Sequence, residues 1–459
     1  MMRAGVRGIV RSGAGMALVA AGAAVGIGLF AASVPDAALG TALSPLVVVG
    51  LTVLLLRRVA AHGDAGFLVH LFHAGIALRV VAVAAQLAIG YVIYRGQVDF
   101  VGYWEHANTI IYRVVTDLRF DRLLDPDFIS EYFNASSSLF VSIILALTMM
   151  VVGPNIVALF LVCAPLSAAA AYLFYRSFEG MAPDAQSRRR FGAMVFLFPS
   201  VAFWSVFLGK DVWVFFFLGC ATFAAARVFE RARPGRVLFL AFSVQMVLLL
   251  RAHVGATLLL ALVTAFLFRP LPLHGPAVYL RPVVRIVVSG AIVYAFTAVA
   301  ASALLTVGVA SLSIDALAER AYLAHTGFAT TEGGAALPRA IETGAPVDVA
   351  AFIPLGVGTL LFRPFVWEAH NALTLVAGLE NLVFLGLVVL RARSIWQALR
   401  ATAASSMTVF VVVFFVTTAI VLSFDWNLGA TLRHRTMVLP FLFMMLALPA
   451  KRPARDTAA

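Results

Sequence analysis

The sequence predicts an all-α, polytopic membrane bundle, and three observations predict it. Hydrophobic residues make up 62% of the 459-residue chain and charged residues only 12%, where a soluble domain carries about 25% charged residues. Mean hydropathy is +0.98, more apolar surface than a soluble core can hide. Apolar runs recur from one end of the chain to the other at about 20 residues, the length at which a helix crosses the hydrocarbon of a bilayer. In lipid each backbone N–H and C=O must be satisfied within the chain, so such runs are helices. A single transmembrane domain over 1–459 is expected, with no soluble module attached.

Taken in order, spans are readable near 14–34, 40–56, 66–94, 155–175, 191–208, 212–229, 236–250, 254–268, 285–308, 369–390, 404–423 and 436–449, about twelve in all. The first follows Arg3, Arg7 and Arg11 and has the look of a signal peptide; a second long span follows quickly, so retention as a signal anchor is expected. The run Ser136 to Val152 lies just before the fourth span, and the charge pattern allows only one net crossing for the two together, so one of them is expected to be short, re-entrant or interfacial. Val349 to Phe362, interrupted by Pro354, Gly356 and Gly358, is expected at the outer surface.

The formal net charge of +12 would raise the question of nucleic acid in a soluble protein. Here the arginines sit in short connectors beside apolar spans: Arg57-Arg58, Arg188 to Arg190, Glu230 to Arg236, Arg281 to Arg285, Arg391 to Arg393 with Arg400, and Lys451-Arg452. That is positive-inside topology with contact to anionic lipid, not a nucleic-acid surface. It puts both termini in the cytoplasm. Cys163 and Cys220 both fall inside apolar runs and read as packing residues, without a disulfide framework.

This topology gives the opposite face two long loops, Tyr94 to Asn134 and Ser311 to Asp348. Loops longer than about 15 residues are usually functional or disordered. The second contains Thr330-Thr-Glu-Gly-Gly-Ala and reads as mobile. In the first, Tyr103, Trp104, Ala107, Ile110, Ile111 and Val114 form an apolar stripe at helical spacing, predicting an interfacial amphipathic helix within 95–134.

Charged residues near membrane depth are costly and therefore informative. Five groups converge on the outer face: Asp99 to Glu105 with Tyr103 and Trp104; Phe198 to Lys210-Asp211; Arg251-Ala-His253, which must form a tight turn; Leu361 to Asn371, with Arg363, Glu368 and His370; and Arg433-His-Arg435. Each has a plainer reading. A lone boundary arginine snorkels to head groups, Lys210 with Asp211 can be a salt pair at a helix start, His253 and His370 can be hydrogen-bonded boundary residues, and Tyr103, Trp204 and Trp367 fit an aromatic belt. Their coincidence on one face suits the task of holding a phosphate at the lipid boundary beside a carboxylate. Arginine forks bind phosphate oxygens bidentately, and lysine adds a point charge. A carboxylate such as Asp99 or Glu105 can take the proton of an acceptor hydroxyl. On that reading Lys210, Arg251, Arg363, Arg433 and Arg435 hold the donor phosphate, while Tyr103, Trp104, His253, Glu368 and His370 contact substrate.

An acidic residue in the first long loop, a helical hairpin turning at Gly153-Pro-Asn155, a Tyr175-Arg176 ending, and Phe-Pro-Ser (198–200) with a downstream acid together resemble the GT-C membrane glycosyltransferases. The resemblance covers roughly Asp99 to Phe229 and is nearest to the family 39-like group related to dolichyl-phosphate-mannose protein mannosyltransferases and their bacterial relatives. It implies a GT-C fold, a polyprenyl-phosphate or polyprenyl-diphosphate sugar as donor, inverting transfer to a glycan, lipid or protein acceptor, and an active site on the non-cytoplasmic face of a bacterial inner membrane. It matches Asp99 to the loop acid that serves as base and Asp211 to the second acidic position. The chain departs from the family in spacing: Glu105 lies six residues from Asp99 where an acidic pair is common, so Asp117, Asp121, Asp125 and Asp127 remain rivals. Some GT-C members use a divalent cation, Mg or Mn, and others none; no cluster in this sequence decides between them. Two other readings stand beside transfer: a polysaccharide polymerase or ligase working on polyprenyl-diphosphate glycans, and a lipid or solute transporter. The transporter would require internal repeats with charges at mid-membrane depth in paired broken helices, whereas no such repeat is found and the charges read here sit at span ends.

Overall fold

The computed structural model of the chain describes residues 38–61, 65–125, 127–128, 131, 136–182, 184–268, 313–329, 340–400 and 405–449. The expected spans at 14–34 and 285–308, the Thr330 to Ala335 stretch and the tail cluster at Lys451 lie outside them. Every described element is helical. The described chain divides into two compact units: the first runs to Leu173 and adds Gly192–Gly219, and the second takes Phe174–Phe191 and the chain from Cys220 onward.

Along the chain the helices are α1 Ala38–Ala60, α2 Ala65–Ala88, α3 Asp99–Ile110, α4 Ser136–Val152, α5 Ile156–Phe178, α6 Ala185–Leu197, α7 Pro199–Trp204, α8 Lys210–Glu230, α9 Pro234–Leu250 and α10 Ala252–Leu267. There follow α11 Ile314–Ala329, α12 Pro346–Phe362, α13 Ala372–Leu390, α14 Ala392–Arg400, α15 Ser406–Leu422, α16 Leu428–His434 and α17 Leu439–Ala447. Among the described residues four helices are long and apolar enough to cross a membrane: Gly66–Ile93, Ile156–Phe178, Lys210–Glu230 and Ala372–Leu390. Five shorter apolar helices accompany them: Ser138–Val152, Pro234–Leu250, Ala252–Leu267, Pro346–Phe362 and Ser406–Leu422.

In the first unit α2 packs on α1 and α7, and the loop helix α3 packs on α4. The stripe read from the sequence explains the second contact: Ala107, Ile110 and Val114 are buried, and Tyr103, Trp104 and Ile111 lie against the same apolar core. Helical spacing puts these residues on one face, and burying that face, not propensity, holds a 12-residue helix. The turn at Gly153-Pro154-Asn155 delivers α4 into α5. Gly153 has φ +81°, a left-handed conformation open to glycine at no steric cost, and Asn155 Oδ1 accepts the Val157 N–H at 2.9 Å, capping α5.

In the second unit α10 and α15 are joined side by side, with Thr257 and Thr418 sharing a 2.7 Å hydrogen bond between them. A polar pair inside apolar packing fixes the register of two otherwise featureless helices. The one-residue turn at Arg251, between α9 and α10, is as tight as the sequence required.

One expectation changes. The run at 191–208 is not one span: α6 stops at Leu197, Phe198 is extended with ψ 120°, and α7 restarts at Pro199. Proline removes an N–H and bars the preceding residue from helical conformation, which breaks the rod. By contrast 346–362 is one continuous helix despite Pro354, packed on α15 with Phe352, Gly356 and Thr359 buried. A side chain at Gly356 would come within 3.0 Å of Ser423 Cβ, so the glycine marks close helix approach and not interruption.

Candidate functional site

In the first unit the structure brings two of the sequence groups together. Asp99 opens the first turn of α3 and Tyr103 follows one turn later, so the two share a face. The Tyr103 ring covers Gly209: a Cβ there would approach Tyr103 Cε2 to 2.8 Å. Only a residue without a side chain admits the ring, and Lys210 and Asp211 come next. Asp211 is 3% exposed and lies in the first turn of α8, where the helix dipole favours a carboxylate. Lys210 is half-buried. The chain holds just two lysines, Lys210 and Lys451, against 32 arginines, so the ammonium here is a selective choice: a compact, strongly hydrated point charge in place of a planar fork.

The surroundings fix this corner. Trp104 Nε1–H donates to the Pro154 carbonyl at 3.0 Å, tying α3 to the turn before α5. Phe100, Phe160, Phe203, Trp204 and Phe207 form a run of edge-to-face and tilted ring contacts beneath it. Asp99 and Glu105 are both exposed. Glu105 is two residues from Tyr103 and so points to the other side of the helix. Its charge acts on His106, whose imidazole burial pushes below the usual value while Glu105 partly restores it.

Three of the rival acids of the same loop, Asp117, Asp121 and Asp125, are occupied locally. Asp121 takes a bidentate contact from Arg119, at 2.8 Å to Nη2, which holds its carboxyl below the usual range. Asp117 lies 3.6 Å from Arg122, and Asp125 accepts the Asp127 N–H at 3.0 Å. All are exposed surface contacts of small energetic weight.

In the second unit the group Arg363 to Asn371 forms a buttressed turn. Arg363 follows the end of α12, and its guanidinium grips Glu368 through two oxygens, Nε to Oε2 at 3.1 Å and Nη2 to Oε1. The Phe365 N–H adds a 2.8 Å bond to Oε2. Burial pushes the Glu368 carboxyl up, but the Arg363 fork and the Phe365 N–H outweigh it and hold it below the usual range. Asn381 Nδ2 donates to the Pro364 carbonyl at 3.0 Å, and Arg435 Nη1 donates to Asn381 Oδ1 at 2.5 Å and to the Leu361 carbonyl at 3.3 Å. Arg435 also lies 3.6 Å from Glu380 and is wholly buried.

Arg435, read from the sequence as a phosphate ligand, is thus spent on protein partners and braces the turn that carries Arg363. Trp367 is 78% exposed and lies flat on Phe365, with centroids 4.7 Å apart. His370 is exposed beside it, with Nδ1 3.4 Å from the Glu368 carbonyl, and Asn371 caps α13 through the Thr374 N–H. Arg251 and His253 occupy the α9–α10 turn and Arg433 lies on α16, all half-buried.

Sequence reasoning missed three features. His434 Nδ1 and Asp425 Oδ2 form a 2.5 Å pair that closes the chain between α15 and α16. Glu380 and Asn381 interrupt the apolar run of α13, a signal visible in the sequence itself. Arg79, a charged residue near the middle of the Gly66–Ile93 helix, is wholly buried, so charge is not confined to span ends. Among the described residues no group of three or more His, Cys, Asp or Glu is placed to hold a metal ion. Comparison of the chain with protein-family models, with curated proteins and with solved structures finds no match.

Proposed function

We propose that the chain is a multi-pass membrane glycosyltransferase with GT-C architecture and about twelve spans, moving a sugar from a polyprenyl-phosphate carrier to a hydroxyl acceptor on the non-cytoplasmic face. The observation that carries the reading is the seating of Tyr103 on Gly209, which places the loop acid Asp99 one helical turn from the ring covering the Lys210-Asp211 corner. In the proposed step Asp99 takes the acceptor's O–H proton, the acceptor oxygen bonds to the sugar's anomeric carbon, and the bond from that carbon to the carrier phosphate breaks. Lys210 offsets the charge left on the phosphate. Asp211, buried at the head of α8, orients Lys210. Glu105, on the opposite side of α3, is left out of this step. Taken by itself, the turn of the second unit offers a separate phosphate contact: the Arg363 fork is formed and partly exposed, and Glu368 holds its place until a phosphate exchanges with it.

A transporter is the second reading, favoured by one observation. Arg79 sits near mid-helix against the α6–α7 break, and charge beside broken helices is the signature of translocation sites. Single-turnover release of polyprenyl phosphate from a panel of lipid-linked sugars separates the two. Release by wild type and its loss in Asp99→Asn with donor binding kept supports transfer; solute or lipid flux in liposomes without donor cleavage supports transport.

A further inference from the structure

From the contacts α2 makes with the broken helix, we infer that Arg79 and Gln86 are positioning residues that set the backbone of Phe203 to Asp211 and thereby the placement of Lys210. The two side chains are seven residues apart on α2, two turns, and therefore on one face. Arg79 Nη1 donates to the Phe196 carbonyl at 2.9 Å, and Gln86 Nε2 donates to the Phe203 carbonyl. These two carbonyls are also seven residues apart, one at the end of α6 and one at the end of α7. A broken helix leaves the last carbonyls of each piece without partners, and α2 supplies a donor to each piece like a splint.

A second link runs forward from Arg79. Its Nε–H donates to Ser167 Oγ at 2.7 Å, and Ser167 Oγ and Ser205 Oγ share a 2.5 Å hydrogen bond. Ser205 opens the segment that ends at Gly209 and Lys210. The segment is therefore tied at Phe203 by Gln86, at Ser205 by the Arg79–Ser167 relay, and at Gly209 by the Tyr103 ring. Gly75 makes room for the arrangement: a Cβ there would meet Phe196 Cδ1 at 2.9 Å and Arg79 Nη1 at 3.3 Å.

Burying a guanidinium with no carboxylate paired to it among the described residues is costly, and packing alone gives no reason for it. Arg79 Nη2 and Gln86 Oε1 are moreover buried without a hydrogen-bond partner, so neither side chain is optimised for stability. The negative end of the α6 dipole and the carbonyls at the break give the cation its compensation. What the arrangement yields is a fixed path for the chain between the break and Lys210.

The test uses full-length protein in nanodiscs and the scarcity of lysine. Amine acylation at Lys210 is followed by peptide mass spectrometry, with Lys451 as internal reference, in wild type, Gln86→Leu, Arg79→Met and Ser205→Ala, alongside thermal midpoints. The expected result is a rise of about tenfold in the Lys210 rate, the opening that loss of one buried hydrogen bond permits, with Lys451 unchanged. A lowered midpoint with an unchanged Lys210 rate would mean bracing of the fold alone and would overturn the inference. If the two α2 variants fail to fold, Ser205→Ala decides by the same criterion. The functional consequence rests on the reading of Lys210 as a phosphate ligand. In donor turnover the variants should lose roughly 100-fold in kcat/KM, the cost of misplacing a group by about 1 Å. Absence of turnover in wild type would sink that reading and leave the labelling result standing.

Discussion

Acidification should undock α11 from the second unit, because its only tie through an imidazole requires the neutral ring. His325 is wholly buried, with its ring centroid 4.9 Å from Phe352 and 5.2 Å from Trp426. Its Nε2 accepts the Ala340 N–H at 3.1 Å, a bond that protonation abolishes. Burial pushes the imidazole pKa down from 6.5 to about 4. Burial is the cause of that shift, with no neighbouring charge among the described residues contributing to it. Because the docked pKa is the lower one, the undocked segment binds the proton more readily. Stability is therefore full above pH 6.5 and is lost as pH falls from 6.5 toward 4. At pH 4.5 the loss is about 2.5 kcal/mol, or roughly a 70-fold rise in the open population. Hydrogen exchange of peptides covering 314–329, corrected for intrinsic rate, at pH 7.5 and 4.5 measures this directly. Equal protection at both values, or the same pH dependence in His325→Phe, would refute the reasoning.

Four further outcomes follow from the geometry. Gly209→Ala should cost about 1–3 kcal/mol by driving a methyl into the Tyr103 ring, and Tyr103→Leu should restore part of it in a double-mutant cycle read by thermal unfolding. Arg435→Met, which strands Asn381 Oδ1 and Glu380, should cost about 3–5 kcal/mol; added to Asn381→Leu the two should be clearly non-additive in chemical denaturation. Asp99→Asn should lower single-turnover transfer at least about 100-fold, while Glu105→Gln leaves it within about threefold. Arg363→Ala should weaken donor lipid binding in native mass spectrometry, where Glu368→Gln, which frees the fork, should strengthen it.

The parts of the fold legible in the sequence are those set by local spacing. The stripe from Tyr103 to Val114 foretold α3, Gly153-Pro154-Asn155 foretold the α4–α5 turn, and Arg251-Ala-His253 between two short apolar runs foretold a tight turn. What stayed hidden depends on partners far away in sequence. Pro165 lies inside the continuous helix α5 whereas Pro199 begins a new one, and the difference is that Arg79 and Gln86, each 117 residues before the carbonyl it serves, accept the cost of the break. No periodicity in 191–208 contains that information. Likewise Arg435, standing at a span end, reads from the sequence as a phosphate ligand, but its partner Asn381 is 54 residues away. The candidate site was legible as residue types, with Asp99, Tyr103, Lys210 and Asp211 all named. Which acid shares the Tyr103 face needed only helical geometry once the helix start was known.

The central claim is tested most directly by single-turnover cleavage of polyprenyl-phosphate sugars by purified wild-type protein, compared with Asp99→Asn and Lys210→Ala. The account predicts release of the polyprenyl phosphate by wild type, loss of release with donor binding retained in Asp99→Asn, and weakened donor binding in Lys210→Ala. Donor cleavage at wild-type rate in both variants, or no cleavage of any donor by wild type, would contradict it.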